Sequence, residues 1–199
     1  MNVSRIITAM VALLISVACS GSKKQSNEMR KGKALIVFFS HAGENYAVGN
    51  IKEGNTKIVA DYIKEQTGAD VFEIVAEKSY DMPYSELIKV AQAEKKSGEL
   101  PAFKGSISNV DEYDVVFIGG PIWWGTYPQV MFSFFNKYDL NGKTLIPFTT
   151  HEGSGLGSTV GDVKKQYPKT TVTGAFAIYG HEVRTGKSKV LQWLKGLGY

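Results

Sequence analysis

Cysteine is almost missing from this sequence of 199 residues, since Cys19 is the only one. A single cysteine cannot form an internal disulfide, which excludes a fold held together by disulfide bonds. Histidine is also scarce: the three histidines lie at positions 41, 151 and 181, and neither an HExxH sequence nor a cysteine pair occurs. We therefore expect no metal site. A serine nucleophile is not indicated either, because no Gly-x-Ser-x-Gly elbow occurs.

Neither sign of charge dominates the chain. It has 23 basic and 19 acidic residues, a formal net charge of +4. The basic residues form no stripe with interleaved aromatic residues, and no helix-turn-helix or RNA-binding sheet motif occurs, so we expect no nucleic-acid partner. Hydrophobic residues make up 43% and charged residues 21%, as in an ordinary soluble globular domain.

The apolar run near the start of the chain covers residues 6–18 and follows Arg5. It is shorter than the roughly 20 residues that span a bilayer and matches the core of a signal peptide, which we predict for residues 1–18. The sequence SVAC, ending at Cys19, resembles a bacterial lipobox and predicts a lipid on that cysteine; the alternative is a free thiol beside an ordinary cleavage site. Residues 19–32 are then a flexible tether. We expect an exported protein held to a membrane, facing the periplasm or the outer surface.

Apolar runs and helical stripes alternate through the rest of the chain. They predict five strands, at 34–39, 71–75, 115–118, 144–148 and 171–179, and five helices, at 56–66, 84–96, 129–138, 159–167 and 187–197. This alternation indicates a parallel sheet with helices on both faces. We expect one α/β domain over residues 33–199, a three-layer α/β/α sandwich around a five-stranded parallel sheet. Ligands bind such sheets at the carboxyl ends of the strands, which singles out the loops after Phe39, Ile118 and Phe148.

The first of these loops favours an anion. Ser40 follows the strand, and Asn55 and Thr56 open the next helix. Hydroxyl and amide side chains beside the free N–H groups of a helix N-terminus suit a phosphate. The alternative interpretation is that these residues only cap the helix.

The second and third loops favour a flat ligand. Trp123 and Trp124 lie within GGPIWWGTYP, where glycine and proline disfavour regular structure, and their rings could stack on a planar aromatic group. A buried or dimer-interface aromatic pair is the alternative. The third loop, TTHEGSGLG, is rich in glycine, which allows the backbone to approach a ligand closely. Within it, Glu152 is expected to be an ordinary solvated residue.

The three loops together resemble those of the flavodoxin family. FFSHAG with GNTKIVA resembles the phosphate loop, GGPIWWGTYP the aromatic loop and TTHEGSGLG the third flavin loop. The resemblance implies FMN as cofactor and the strand order 2-1-3-4-5. By that resemblance the phosphate is held by Ser40, His41, Asn55 and Thr56, the isoalloxazine is lined by Pro121, Ile122, Trp123, Trp124 and Gly125, and its other edge is closed by Thr150, His151, Gly153, Ser154 and Gly155. One departure is an insertion at residues 44–54 within the phosphate loop, which either folds over the ribityl chain, with Tyr46 packing nearby, or projects into solvent.

Three functions stay open at this point. The first is an oxidoreductase in which a nicotinamide donor reduces FMN and FMN reduces a quinone-like or protein acceptor; the cofactor carries this chemistry, and His151 is the candidate catalytic residue that stabilises negative charge. The second is an electron carrier at the membrane surface without a substrate pocket. The third is a flavodoxin fold that has lost FMN. The sequence names neither the electron donor, the acceptor nor the oligomeric state.

Overall fold

The computed structural model describes residues 32–199. Its elements in chain order are β1 (Ala34–Phe38), β2 (Gly43–Asn45), β3 (Gly49–Ile51), α1 (Asn55–Thr67), β4 (Asp70–Glu73), β5 (Val75–Ala76), α2 (Tyr84–Ser97), β6 (Phe103–Lys104), β7 (Val115–Pro121), α3 (Gln129–Lys137), β8 (Thr144–His151), α4 (Thr159–Gln166), β9 (Thr171–Val172), β10 (Phe176–Tyr179) and α5 (Lys187–Gly196). The predicted signal peptide, Cys19 and the tether lie outside the described residues, apart from Gly32. Among the helices of residues 32–199, none is long and apolar enough to cross a membrane.

The central sheet has the order β10-β8-β7-β1-β4, and all of its pairings are parallel. In terms of the five predicted strands this is the order 2-1-3-4-5, as predicted. The order of the strands reverses at β1, which has β4 on one side and β7 on the other. The carboxyl ends of β1, β7 and β8 therefore lie next to one another, which brings the three loops to one edge of the sheet.

Alternate residues of the central strands face opposite sides of the sheet, and both sides are buried. Leu35, Val37 and Val116 belong to one apolar cluster, which includes buried residues of α2, α3 and α4. Ile36, Phe38 and Phe117 belong to the other, with buried residues of α1 and α5. Because both faces of the sheet are covered, the strands are continuous apolar runs. The predicted three-layer sandwich is confirmed.

The predicted fifth strand, residues 171–179, was wrong in one respect. It is divided into β9 and β10, both of which pair with β8, so the sheet has six strands by count. Gly174 lies between them at φ +59°, in the left-handed region, and a Cβ there would come within 2.5 Å of the Leu197 side chain. The backbone leaves the strand at this glycine to make room for the end of the chain.

Two small antiparallel pairs were not predicted. β2 and β3 form a hairpin within residues 43–51, and β5 pairs with β6. The hairpin is the part of the chain that the sequence identified only as an insertion. Its two strands, GEN and GNI, are three residues long and contain one apolar residue, Ile51, so no alternating pattern predicted them.

Candidate functional site

A cavity of about 370 Å³ lies at the carboxyl ends of β1, β7 and β8. This is within the range of volumes usual for small-molecule sites, about 300–1,000 Å³. Of the residues predicted to bind a cofactor, those that line the cavity are His41, Asn55, Thr56, Pro121, Ile122, Trp123, Trp124, Gly125, Thr150, His151 and Ser154. Ser40, Gly153 and Gly155 do not line it; they support the loops around it.

Ser40 acts on the helix rather than on the cavity. Its hydroxyl accepts a hydrogen bond from the backbone N–H of Lys57 at 3.0 Å, in the first turn of α1. Gly54, the residue before α1, is packed so closely that a Cβ would lie 2.2 Å from Ser40 Oγ and 2.7 Å from the carbonyl oxygen of His41. The Ser40 hydroxyl therefore caps the N-terminus of α1. The first turn of α1 contains no acidic residue, which leaves its positive end open to an anion.

His41 is a buried polar residue of the cavity with an unpaired ring nitrogen. The residue is only 8% exposed, and Nε2 has no hydrogen-bond partner among the described residues. Burial lowers the pKa of His41, although a hydrogen bond to the Glu44 backbone and the charge of Asp81 oppose this in part, so the imidazole is neutral near pH 7. An unpaired buried polar atom costs free energy, and a ligand atom in the cavity would remove that cost.

The two tryptophans have opposite surroundings. Trp123 packs edge-on against Phe39, Tyr80 and His41, with ring centroids 5.2–5.7 Å apart. Trp124 is 46% exposed and donates its indole N–H to the carbonyl oxygen of Ile88 at 3.0 Å. The burial interpretation therefore describes part of the Trp123 environment, while one side of both rings still lines the cavity.

A tight turn sets the two rings apart. The backbone of Trp123 and Thr126 exchanges hydrogen bonds, and the two residues between them have positive φ, +50° for Trp124 and +85° for Gly125. Positive φ is rare for a bulky residue such as tryptophan. The third loop supports this turn, because the N–H of Ser158 donates to the carbonyl oxygen of Gly125 at 2.8 Å.

His151 lies at the end of β8 with a defined proton position. The N–H of Gly153 donates to His151 Nδ1 at 2.9 Å, so the proton of the neutral ring is on Nε2. The ring centroid is 4.4 Å from that of Tyr179. Burial is the main reason that the pKa of His151 is lowered, and Glu152 and Glu182 oppose it. His151 is thus a neutral hydrogen-bond donor at the cavity. Thr150 beside it is hydrogen-bonded to Thr56, with 2.8 Å between the two hydroxyl oxygens.

Three polar residues near the site were not predicted to act there. The Glu152 side chain is only 13% exposed, so the expectation of a solvated residue was wrong. It accepts the backbone N–H of His181 at 2.9 Å and lies 2.6 Å from His181 Nδ1. Arg184 donates to Asn55 Oδ1 and to the carbonyl oxygen of Glu53, both at 3.2 Å. The guanidinium therefore lies beside the N-terminus of α1. For His181 and Arg184, the only indication in the sequence was that they follow the predicted fifth strand, which ends at the same edge of the sheet as the three loops.

An apolar wall of the cavity was predicted only in part, through the insertion that was expected to fold over the ribityl chain with Tyr46 nearby. The wall consists of Tyr46 and Val48 of the hairpin segment and Tyr84, Leu87, Ile88 and Ala91 of α2. The residues of α2 come from outside the three predicted loops. Facing a ligand, the site thus offers polar groups on the side of α1 and β8 and uncharged side chains on the side of α2. Within residues 32–199, no group of three or more His, Cys, Asp or Glu side chains is placed to hold a metal ion.

A comparison with sequence models of known families shows to which family the chain belongs. The sequence model described as Flavodoxin matches residues 33–196, most of the chain. The chain belongs to the flavodoxin family. A search of curated proteins finds no match.

Solved structures described as flavoproteins are similar to this one. A candidate flavoprotein from Bacteroides eggerthii DSM 20697 is 28% identical with a TM-score of 0.65, and the match covers 84% of this chain and 98% of that one. A second, from Bacteroides uniformis ATCC 8492, is 26% identical with a TM-score of 0.68, covering 83% and 99%. A flavoprotein from Lactobacillus acidophilus NCFM, solved in complex with FMN, shares the fold at 19% identity and a TM-score of 0.57, covering 77% and 97%.

Proposed function

We propose that the cavity binds FMN and that the protein is an oxidoreductase that passes electrons through FMN to a quinone-like acceptor. The observation that carries the proposal is the buried His41, which lines the cavity together with Trp123 and whose Nε2 has no partner in the described chain. A cofactor with hydrogen-bonding groups and a flat ring fits both features. Family membership and the FMN complex of the Lactobacillus acidophilus flavoprotein add support.

The polar side of the cavity suits the phosphate and ribityl chain. The positive end of α1 attracts an anion, and Arg184 brings a permanent positive charge to the same place through Asn55. Thr56 and Thr150 hold each other's hydroxyls at the boundary between the first and third loops, so their spacing is fixed before a ligand enters. This arrangement would orient the cofactor with its phosphate toward α1 and its ring toward the tryptophans.

FMN, when bound, supplies the two-electron chemistry; the chain supplies placement and charge. His151 would offer its Nε2–H to the ring edge or to the acceptor, where negative charge develops on reduction. Because its Nδ1 is already occupied by the N–H of Gly153, the orientation of the donor is set in advance. Trp123 and Trp124 would cover the ring and limit the access of water.

Membership of the family is compatible with a second function, an electron carrier. Trp124 is exposed at the rim, and its carbonyl oxygen accepts a hydrogen bond from Lys95, so a protein partner could reach this edge. We favour the oxidoreductase because the cavity is also lined by the hairpin inserted in the first loop and by α2, and this side of the cavity would accommodate a small acceptor.

The test is a titration of the apoprotein with FMN, followed by quenching of flavin fluorescence. We expect tight quenching, weakened when Trp123 and Trp124 are both changed to alanine. Reduction by a nicotinamide donor and turnover with a naphthoquinone then separate the enzyme from the carrier, since a carrier would show no saturation by the quinone. Absence of binding at micromolar FMN would overturn both redox functions.

We also propose, from the sequence alone, that Cys19 carries the membrane-tethering lipid. Cells fed a labelled fatty acid should incorporate it into the protein, and Cys19→Ser should abolish the label. Equal labelling of this variant would contradict the proposal.

A further inference from the structure

The hairpin of residues 43–51 is fixed against the beginning of α2. Glu44 Oε2 accepts the backbone N–H of Tyr84, the first residue of α2, at 2.8 Å. This carboxylate also lies at the positive end of the helix, where negative charge is favourable. The Tyr46 and Tyr84 rings lie 6.1 Å apart with planes inclined by 31°. The insertion therefore does not simply project into solvent, because the hairpin packs against α2 beside the cavity.

The wall formed by the hairpin and α2 carries no charge on its lining side chains. Tyr84, Leu87, Ile88 and Ala91 are spaced at i, i+3, i+4 and i+7, so they form one stripe of the helix that faces the cavity. Burial raises the pKa of Tyr84, with a smaller contribution from Tyr46, and this phenol stays neutral. The stripe offers a ligand apolar contact and little hydrogen bonding.

Tyr46 is the unusual residue of this wall. Its side chain is 63% exposed, although it lines the cavity and touches Tyr84. The following residue, Ala47, has φ +61°, an uncommon value for a residue other than glycine. The turn thus holds a large aromatic ring over the cavity with much of its surface uncovered. Such a ring is suited to stack on a second flat molecule.

The contrast between the two sides of the cavity indicates what that molecule is. The phosphate and ribityl groups of FMN require the polar side, with Asn55, Thr150 and Arg184, and gain nothing from an uncharged wall. We propose that the hairpin and α2 form an acceptor subsite for an uncharged planar ring of the quinone class, with Tyr46 and Tyr84 as its specificity-determining residues. The proposal rests on the proposed FMN site and adds to it the residues that bind the second substrate.

The reaction at this subsite is balanced as follows. A dihydronicotinamide donor loses a hydride, which is two electrons and one proton, and becomes the oxidised nicotinamide. The quinone gains two electrons and two protons, so that its two carbonyl groups become hydroxyls; the second proton comes from solvent. The protein and its cofactor return to their starting state. An uncharged wall favours the neutral quinone over charged acceptors, because no side chain there compensates the desolvation of a charge.

The experiment uses the FMN-loaded protein, reduced anaerobically with dithionite so that no particular donor is required. It is then mixed with 2-methyl-1,4-naphthoquinone or with ferricyanide, and the return of the oxidised flavin absorbance is followed. For Tyr46→Ala we expect the half-saturating naphthoquinone concentration to rise by about three- to tenfold, as the loss of an aromatic contact implies. Tyr46→Phe should behave as the unaltered protein, since it keeps the ring.

Two controls make the outcome specific. Ferricyanide, which is charged and needs no apolar contact, should be reduced at the same rate by Tyr46→Ala. Tyr62→Ala removes a tyrosine ring on α1, away from the cavity, and should leave the naphthoquinone dependence unchanged. The proposal is overturned if Tyr46→Ala leaves the naphthoquinone dependence unchanged, or if it weakens FMN binding instead. A protein that never binds FMN would overturn the proposed function, a separate result seen in the titration.

Discussion

The polar and the apolar wall of the cavity are built in different ways. The polar wall consists of Asn55, Thr150 and His151, and Arg184 supports it through a hydrogen bond to Asn55, 129 residues away in the chain. The apolar wall comes from two segments, the hairpin and α2, joined by the hydrogen bond from Tyr84 to Glu44, which are 40 residues apart in the chain. The polar wall is fixed by the sheet, whose strands all end at one edge. Within the apolar wall, Tyr46 and Tyr84 belong to neither core cluster, so they can change without altering the sheet, and they are where we expect acceptor specificity to reside.

The largest effect on stability is expected at Trp123, which lines the cavity. Trp123→Ala removes a ring packed against Phe39, Tyr80 and His41, and we expect the free energy of unfolding in urea to fall by about 3 kcal/mol. Trp124→Ala is the matched control: its ring is 46% exposed, and the loss should stay near 1 kcal/mol. Equal losses would mean that the two tryptophans do not differ as their surroundings indicate.

The polar wall is tested by Arg184. Arg184→Ala should weaken FMN binding by about tenfold through the loss of charge beside α1, while riboflavin, which has no phosphate, should bind with unchanged affinity. Both affinities are measured by flavin fluorescence. Lys187→Ala, which removes a nearby cation paired with Glu65, serves as control and should change neither. A parallel loss for both flavins would show that Arg184 only supports the loop.

The attachment of the apolar wall is tested by Glu44. Glu44→Ala removes the acceptor for the N–H of Tyr84 and should lower the free energy of unfolding by about 1 kcal/mol, as for the loss of a helix cap. Amide hydrogen exchange should become faster in residues 43–51 and at the start of α2. Glu44→Gln keeps a carbonyl acceptor and should restore most of the protection. Unchanged exchange in the alanine variant would contradict the docking of the hairpin.

The smallest effect is a pH dependence of the apoprotein. Burial lowers the pKa of His41 below its ordinary value of 6.5, so the unfolded chain binds a proton before the folded one. Stability is therefore complete above pH 6.5 and declines as the pH falls toward the lowered pKa. His41→Gln should make the loss of stability between pH 7.5 and pH 5 smaller; His151, whose pKa is also lowered, contributes in the same direction. The same slope in both proteins would contradict the assignment.

Much of the fold followed from periodicity. The apolar runs at β1, β7 and β8 and the apolar stripes of the helices predicted the three layers. Because ligands bind such sheets at the carboxyl ends of the strands, the sequence also predicted the three loops that meet at the cavity. The sequence also identified Trp123 and Trp124 as candidate contacts of a ligand ring. It could not show that Trp123 packs on Phe39 and Tyr80 while Trp124 lies exposed. That difference depends on a turn with two successive positive φ angles, for which the tryptophan residue itself gives no signal.

Local sequence alone determined the sheet, its covering helices and the position of the ligand site, because these depend on hydrophobic alternation and on where strands end. Only the tertiary structure decided which distant groups share the site. Arg184 reaches Asn55, Glu152 holds His181, and Glu44 holds the hairpin to α2 through side-chain contacts that no period in the sequence encodes. These contacts join segments whose separation is set by the folded sheet, so they exist only after the sheet has formed.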